Sequence, residues 1–144
     1  MNTIQPLALL AVLSVSFQFT QQAKASDPQD VFSRGARQIV SITERHENAT
    51  SDVTSRCLPR IRRLLKSGNY NEARTTADRC ITELGEILDS ARTALRTTCE
   101  RCIDALVQMG APDLARDIHD LCVRASSRMK DVHDRAVNAI QDLF

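Results

Sequence analysis

The sequence contains few aromatic residues and no tryptophan. Its 144 residues include four phenylalanines and one tyrosine. After position 25 the only aromatic residues are Phe32, Tyr70 and Phe144, so a hydrophobic core must be built from leucine, isoleucine, valine and alanine. A chain of this length buries only about two-thirds of its surface on folding, and small exported domains commonly add disulfides to offset the shortfall. The five cysteines therefore favour a structural role.

The sequence also lacks an excess of either charge. It contains 19 basic and 18 acidic residues, and Lys24 is the only charged side chain among the first 25 residues. Residues 26–144 are therefore formally neutral. Nucleic acids and anionic lipids select clustered lysine and arginine, so we predict no nucleic-acid partner. The one local cluster is expected on a solvated helix face: Arg60, Arg62, Arg63 and Lys66.

No apolar run is long enough to cross a bilayer as a helix. The run from Leu7 to Phe19 is shorter than the roughly 20 residues that a spanning helix needs. A polar stretch follows and ends in Ala-Lys-Ala at 23–25, a small-x-small cleavage pattern. We therefore predict a signal peptide at 1–25 and a secreted, extracellular protein at 26–144, with no stable membrane insertion after cleavage. A weak membrane anchor is the alternative.

One phrase of the sequence occurs twice, 42 positions apart. LLKSGNYNEARTTADRC at 64–80 and LVQMGAPDLARDIHDLC at 106–122 share leucine, glycine, alanine, arginine and cysteine in register. The identities at this period include Cys57 with Cys99, Ile61 with Ile103, Leu64 with Leu106, Gly68 with Gly110, Ala73 with Ala115, Arg74 with Arg116, and Cys80 with Cys122. One period earlier, Ile39 stands opposite Ile81 and Val123. The sequence after the signal peptide is therefore predicted to be a single domain of three related units.

Apolar residues recur within each unit at intervals of three and four, which is the period of an amphipathic helix. No alternating β-rich run competes with this pattern. Asp27-Pro28 and the glycines at 68 and 110 mark helix ends, because glycine adopts the left-handed conformation and proline is tolerated at the first helical position. The predicted helices lie at about 28–66, 70–109 and 112–143.

The predicted connections are only two or three residues long, so neighbouring helices must run antiparallel. The predicted fold is all-α: an elongated, antiparallel up-down-up three-helix bundle with disulfide-clamped helical hairpins. Pro59 should kink the first helix or split it near Cys57. Thr43, His46 and Thr50 place polar groups on the seam of that helix, and they make its middle the weakest part.

The cysteine positions predict two disulfides. In an antiparallel hairpin, residues equally far from the turn lie side by side. Cys57 and Cys80 are equidistant from the first turn, and Cys99 and Cys122 from the second. Cys102 is left over in this scheme. It could be free, could compete with Cys99 for Cys122, or could bridge two chains as a dimer.

A zinc site is a second interpretation of the same cysteines. Cys99-x2-Cys102 followed by His119-x2-Cys122 supplies three cysteines and one histidine at plausible ligand spacing. However, the export signal implies an oxidising compartment, and the first hairpin carries the same cysteines without the other ligands. We therefore predict disulfides, with no metal and no cofactor.

No catalytic constellation can be recognised in the sequence. His46, His119 and His133 have no serine or aspartate placed for nucleophilic chemistry, and we expect them to be partly exposed helix residues. Asn48 begins an Asn-Ala-Thr pattern, which predicts N-glycosylation if the host is a eukaryote. The protein is not predicted to be an enzyme.

Several cysteine-containing segments together resemble a known family. They are Cys57-Leu58-Pro59, the stretch from Tyr70 to Cys80, and Cys99-x2-Cys102 followed by Cys122. In an α-helical region behind a signal peptide, this arrangement resembles the secreted insect proteins that carry a TsetseEP-type domain. The resemblance covers roughly half of the chain. It implies a secretion of the gut or reproductive tract.

The sequence favours a non-enzymatic secreted protein. Disulfide-linked helices give rigidity, a surface with charges of both signs gives solubility, and no group of residues organises a reaction centre. Such a protein would present a rigid surface to an unidentified protein or cell-surface partner. The alternative is a carrier of a lipid or other small hydrophobic molecule, because amphipathic antiparallel helices can separate to accept an acyl chain. Two disulfides argue against wide opening, and the scarcity of aromatic residues argues against a shaped pocket.

Overall fold

The structure is a computed structural model that describes residues 27–144. The predicted signal peptide at 1–25 lies outside the described residues. The chain forms three α-helices: α1 (Pro28–Lys66), α2 (Tyr70–Gln108) and α3 (Pro112–Gln141). Each helix packs against the other two, and the described range contains no strand. The predicted all-α, up-down-up three-helix bundle is therefore confirmed.

The first helix begins where the sequence predicts. Asp27 is the N-cap of α1, and its carboxylate accepts a hydrogen bond from the backbone N–H of Gln29 at 3.0 Å. Pro28 then occupies the first helical position, where its missing N–H leaves no bond unmade. Pro112 starts α3 in the same way.

The two turns between helices have the same backbone geometry. Gly68 adopts a φ of 77° and Gly110 a φ of 72°. Both values lie in the left-handed conformation that only glycine adopts readily. In the first turn the N–H of Gly68 donates to the carbonyl of Leu65 at 3.1 Å, and the N–H of Asn69 donates to that of Leu64 at 2.9 Å. This pair of bonds is the Schellman motif, and it recurs at the corresponding positions of the second turn.

A disulfide closes each turn. The turn-1 disulfide, Cys57–Cys80, joins α1 to α2, and the turn-2 disulfide, Cys99–Cys122, joins α2 to α3. In both, the Cα atoms are 6.4 Å apart and the cysteines are 23 positions apart in sequence. The disulfide-clamped helical hairpins are therefore confirmed.

The core consists of two hydrophobic clusters, one around each disulfide. Fully buried side chains of all three helices form the turn-1 cluster, among them Ile61, Leu84 and Ile140. The turn-2 cluster includes Leu106, Ile118 and Met129. The buried positions of α1 between the two clusters are polar. The bundle is therefore apolar toward both turns and polar in the middle.

Pro59 is predicted to kink the first helix or to split it near Cys57. The split is wrong, because α1 continues through Pro59 without interruption; the kink stays a prediction. Proline has no N–H to donate to the carbonyl four residues earlier, which belongs to Ser55. Both Pro59 and Ser55 are exposed. Water can therefore satisfy that carbonyl, and the packing of α1 on both sides of the proline maintains the helix.

Candidate functional site

Three side chains in the middle of the bundle form a polar layer, which we define as His46, Thr50 and His133. His46 and Thr50 of α1 are 2% and 4% exposed, and His133 of α3 is half-buried. The prediction that the histidines are partly exposed is therefore wrong for His46. It holds for His133, while His119 is exposed.

The polar layer contains buried atoms that have no hydrogen-bond partner among residues 27–144. They are both ring nitrogens of His46, the hydroxyl oxygen of Thr50 and Nδ1 of His133. Thr43, one turn before this layer, behaves differently, since its hydroxyl donates to the carbonyl of Ile39 at 3.0 Å. A buried polar atom without a partner costs about 1–3 kcal/mol. Such atoms are rare in folded proteins, and they often mark a site where a water molecule, an ion or a ligand binds.

His46 is in its neutral form at pH 7. Burial lowers its pKa from the ordinary value of 6.5; the nearby His133 and Arg92 lower it further, and Glu47 partly opposes them. One ring nitrogen of a neutral imidazole carries a hydrogen and can donate, and the other has a lone pair and can accept. His46 can therefore act both as a donor and as an acceptor of hydrogen bonds.

A groove between α1 and α2 leads to His46. Its volume is about 400 Å³, and His46 is the most deeply buried residue that lines it. The apolar wall consists of Ile42, Ala49, Ile87, Ala91 and Ala94. The remaining lining residues, Arg45, Glu83, Glu86 and Ser90, are polar. We call this feature the α1–α2 groove.

Ion pairs connect α1 to both of its neighbours near the polar layer. Arg56 of α1 binds Glu83 of α2 with an N–O distance of 2.7 Å, and Glu47 of α1 pairs with Arg128 of α3. Exposed pairs of this kind contribute little stability individually. Their effect here is to balance the charges around the groove.

The structure does not assemble the four residues of the alternative zinc set into a metal site. Cys99 and Cys122 are joined in the turn-2 disulfide, and His119 is exposed, with Nδ1 3.6 Å from a carboxylate oxygen of Asp120. The oxidised protein therefore cannot present these cysteines as thiolates. Within 27–144, no group of three or more histidine, cysteine or acidic side chains is placed to hold a metal ion.

Cys102 is the free cysteine, and it is buried. Its sulfur faces α1, where the S–H donates to the carbonyl oxygen of Val31 at an S–O distance of 3.7 Å. Burial raises the pKa of the thiol. A dimer through Cys102 stays a prediction. It would require the start of α1 to move away from the sulfur.

Asn48 is exposed on α1. Its side chain is therefore open to solvent, and glycosylation at this position stays a prediction. None of the three described helices has both the length and the apolarity needed to cross a membrane.

Comparison with known proteins gives no match to this chain among family models, curated proteins or solved structures. The relationship to the TsetseEP-type proteins therefore stays a prediction from the cysteine pattern. The function has to be inferred from the polar layer, the groove and the disulfides themselves.

Proposed function

We propose that this small, disulfide-bonded helical protein is secreted and non-enzymatic, and that it presents a rigid surface to another macromolecule or a cell surface. A role of this kind is compatible with the suggested relationship to TsetseEP-type secretions. The observation that carries the proposal is the pair of identical clamps, one at each turn, on helices that all pack against one another.

The two disulfides support a binding role because they make the surface of the bundle more rigid. Closing a loop of this length removes about 3.4 kcal/mol of chain entropy from the unfolded state per disulfide, in the chain-entropy treatment. A surface that is already ordered also loses less entropy when a partner binds. The exposed surface is rich in charges of both signs. It also includes apolar side chains such as those of Val40, Val107 and Val123.

Binding of labelled protein to cells of the source organism tests this proposal. The oxidised protein should bind saturably, and excess unlabelled protein should compete. A variant without the turn-1 disulfide should bind more weakly, because its first hairpin is less ordered. Binding that does not saturate, or that is unchanged in the variant, would count against a rigid recognition surface.

A second proposed function is carriage of a small apolar molecule. The α1–α2 groove favours it, because the groove has an apolar wall and is also lined by His46. Both ring nitrogens of this buried histidine have no hydrogen-bond partner in the described chain. Mass spectrometry under native conditions, on protein purified from its own source, should detect a molecule bound at about one per chain. Its consistent absence would remove the carrier function.

A further inference from the structure

We propose that the α1–α2 groove binds an uncharged amphiphile, with an apolar body and one hydroxyl group that pairs with the imidazole of His46. This inference rests on the carrier function proposed above. It adds the location of the site, the chemical class of the ligand and the residue that recognises its polar end.

The polar end of the ligand follows from the state of His46. Both ring nitrogens are buried and have no partner in the described chain. His46 lines the groove, but almost no surface of either nitrogen is open to it, so the imidazole must turn toward the groove to meet a ligand. A neutral imidazole can accept a hydrogen bond from a hydroxyl through its unprotonated nitrogen. A ligand hydroxyl at this position would satisfy an atom that is otherwise costly to bury.

The apolar body of the ligand follows from the groove wall. The wall is made of isoleucine and alanine side chains, and the groove volume is about 400 Å³. This volume falls within the range of typical small-molecule sites. Alanines at 49, 91 and 94 leave room between the two helices, where larger side chains would fill the space. The turn-1 and turn-2 disulfides lie on either side of the groove along the bundle, so the helices stay joined while it is occupied.

The surrounding charges select an uncharged ligand. The charged and titratable groups near His46 come from all three helices: Glu47 on α1, Arg92 on α2 and His133 on α3. Glu47 is already paired with Arg128, and Arg92 is exposed, so neither is buried beside the imidazole to compensate a carboxylate or an ammonium group. An uncompensated buried charge is strongly disfavoured. At the rim, Glu83 is paired with Arg56, and Glu86 and Arg45 carry opposite charges, so the rim favours neither sign of head group.

A matched pair of probes tests the inference on the oxidised, full-length secreted chain. Decan-1-ol and methyl nonyl ether are isomers, and only the alcohol can donate a hydrogen bond. Both would be titrated against the neutral fluorescent dye N-phenyl-1-naphthylamine bound to the protein. We expect the alcohol to bind about tenfold more tightly than the ether. The imidazole N–H can donate to the oxygen of either isomer, but only the alcohol can donate to the unprotonated ring nitrogen.

The His46→Phe variant connects this preference to the proposed residue. It should bind the two isomers equally, because the phenyl ring keeps the apolar volume and has no acceptor. His119→Phe is the matched control, since His119 is exposed and does not line the groove, and it should keep the preference. In the wild-type protein, decan-1-ol should shift the imidazole ¹⁵N resonances of His46 and leave those of His119 unchanged. This measurement does not depend on whether the variant folds.

The possible contrary results separate the inference from the carrier function. Equal binding of the alcohol and the ether, or a preference that persists in His46→Phe, would overturn the pairing with His46 and leave the carrier function standing. Tighter binding of decanoate than of decan-1-ol would overturn the uncharged class of ligand. Failure of both isomers to displace the dye and to shift the His46 resonances would overturn the site and count against the carrier.

Discussion

The helices approach one another closely at Gly35, and this contact provides a sharp test of the bundle. A methyl group added at Gly35 of α1 would lie 2.4 Å from the sulfur of Cys102 on α2, and 3.4 Å from Cδ1 of Ile118 on α3. The first distance is far inside van der Waals contact. All three helices meet at this point, so the Gly35→Ala substitution tests their arrangement at once.

Two opposing effects determine the size of the change. Alanine is more favourable than glycine inside a helix by about 0.5–1 kcal/mol. Overpacking a well-filled core costs about 1–3 kcal/mol. The sulfur has little free space to move into, because Cys102 is 7% exposed. We therefore expect Gly35→Ala to lower the free energy of unfolding by about 1–2 kcal/mol.

The chain offers both a control and a compensating change. Gly85 lies inside α2, and a methyl group added there would meet nothing within 4 Å, so Gly85→Ala should stabilise by about 0.5–1 kcal/mol. In the double variant Gly35→Ala/Cys102→Ala the sulfur is gone and the nearest remaining distance is 3.4 Å. This double variant should be more stable than Gly35→Ala alone.

Denaturant unfolding of the oxidised proteins, followed by helical circular dichroism, measures these differences. The variants should rank with Gly85→Ala above the wild type, and Gly35→Ala below both the wild type and the double variant. If Gly35→Ala stabilised as much as Gly85→Ala, the start of α1 would not lie on Cys102. Failure of Cys102→Ala to restore stability would refute the packing argument as well.

Three further predictions follow from the disulfides, His46 and Cys102. Replacing both cysteines of either disulfide with alanine should lower the free energy of unfolding by about 3.4 kcal/mol. The loss should be equal for the two turns, because both disulfides join cysteines 23 positions apart. Unequal losses in denaturant unfolding would contradict this. Burial lowers the pKa of His46 in the folded protein. Below pH 6.5 the unfolded chain therefore binds more protons at this residue than the folded protein does. The free energy of unfolding should decline as the pH falls from 6.5 through the folded-state pKa. Melting curves between pH 8 and pH 5 should show this decline, and His46→Phe should reduce it. The thiol of Cys102 should react with iodoacetamide much more slowly in the folded than in the unfolded protein, because it is buried and its pKa is raised; equal rates would show that it is accessible.

The features that could be predicted from the sequence are those set by local chemistry and by symmetry. Gly68 and Gly110 marked the turns because a left-handed residue is needed there, and the structure places both at positive φ. The disulfide pairs followed from their equal distances to those turns. The predicted helix ends differ from the observed ones by one or two residues, at Gln108 and Gln141.

The features that could not be predicted depend on which side of a helix faces the other helices. Pro59 is compatible with a continuous α1 because it faces water, and its sequence position alone does not reveal that. The seam pattern placed His46 and Thr50 near the core. Whether their polar atoms find partners depends on His133 and the rest of α3, which lie far away in the sequence. The groove beside them likewise exists only when α1 and α2 are assembled.

Disulfide mapping of the protein without reduction tests the central claim, that each turn is closed by cysteines equidistant from it. Trypsin separates the five cysteines into five peptides: 57–60, 80–92, 97–101, 102–116 and 117–124. Peptide 57–60 should be joined to 80–92, peptide 97–101 should be joined to 117–124, and the cysteine of 102–116 should carry a free thiol. A link between 57–60 and any peptide other than 80–92, or a bridge from 102–116 to any of the other four peptides, would contradict the account.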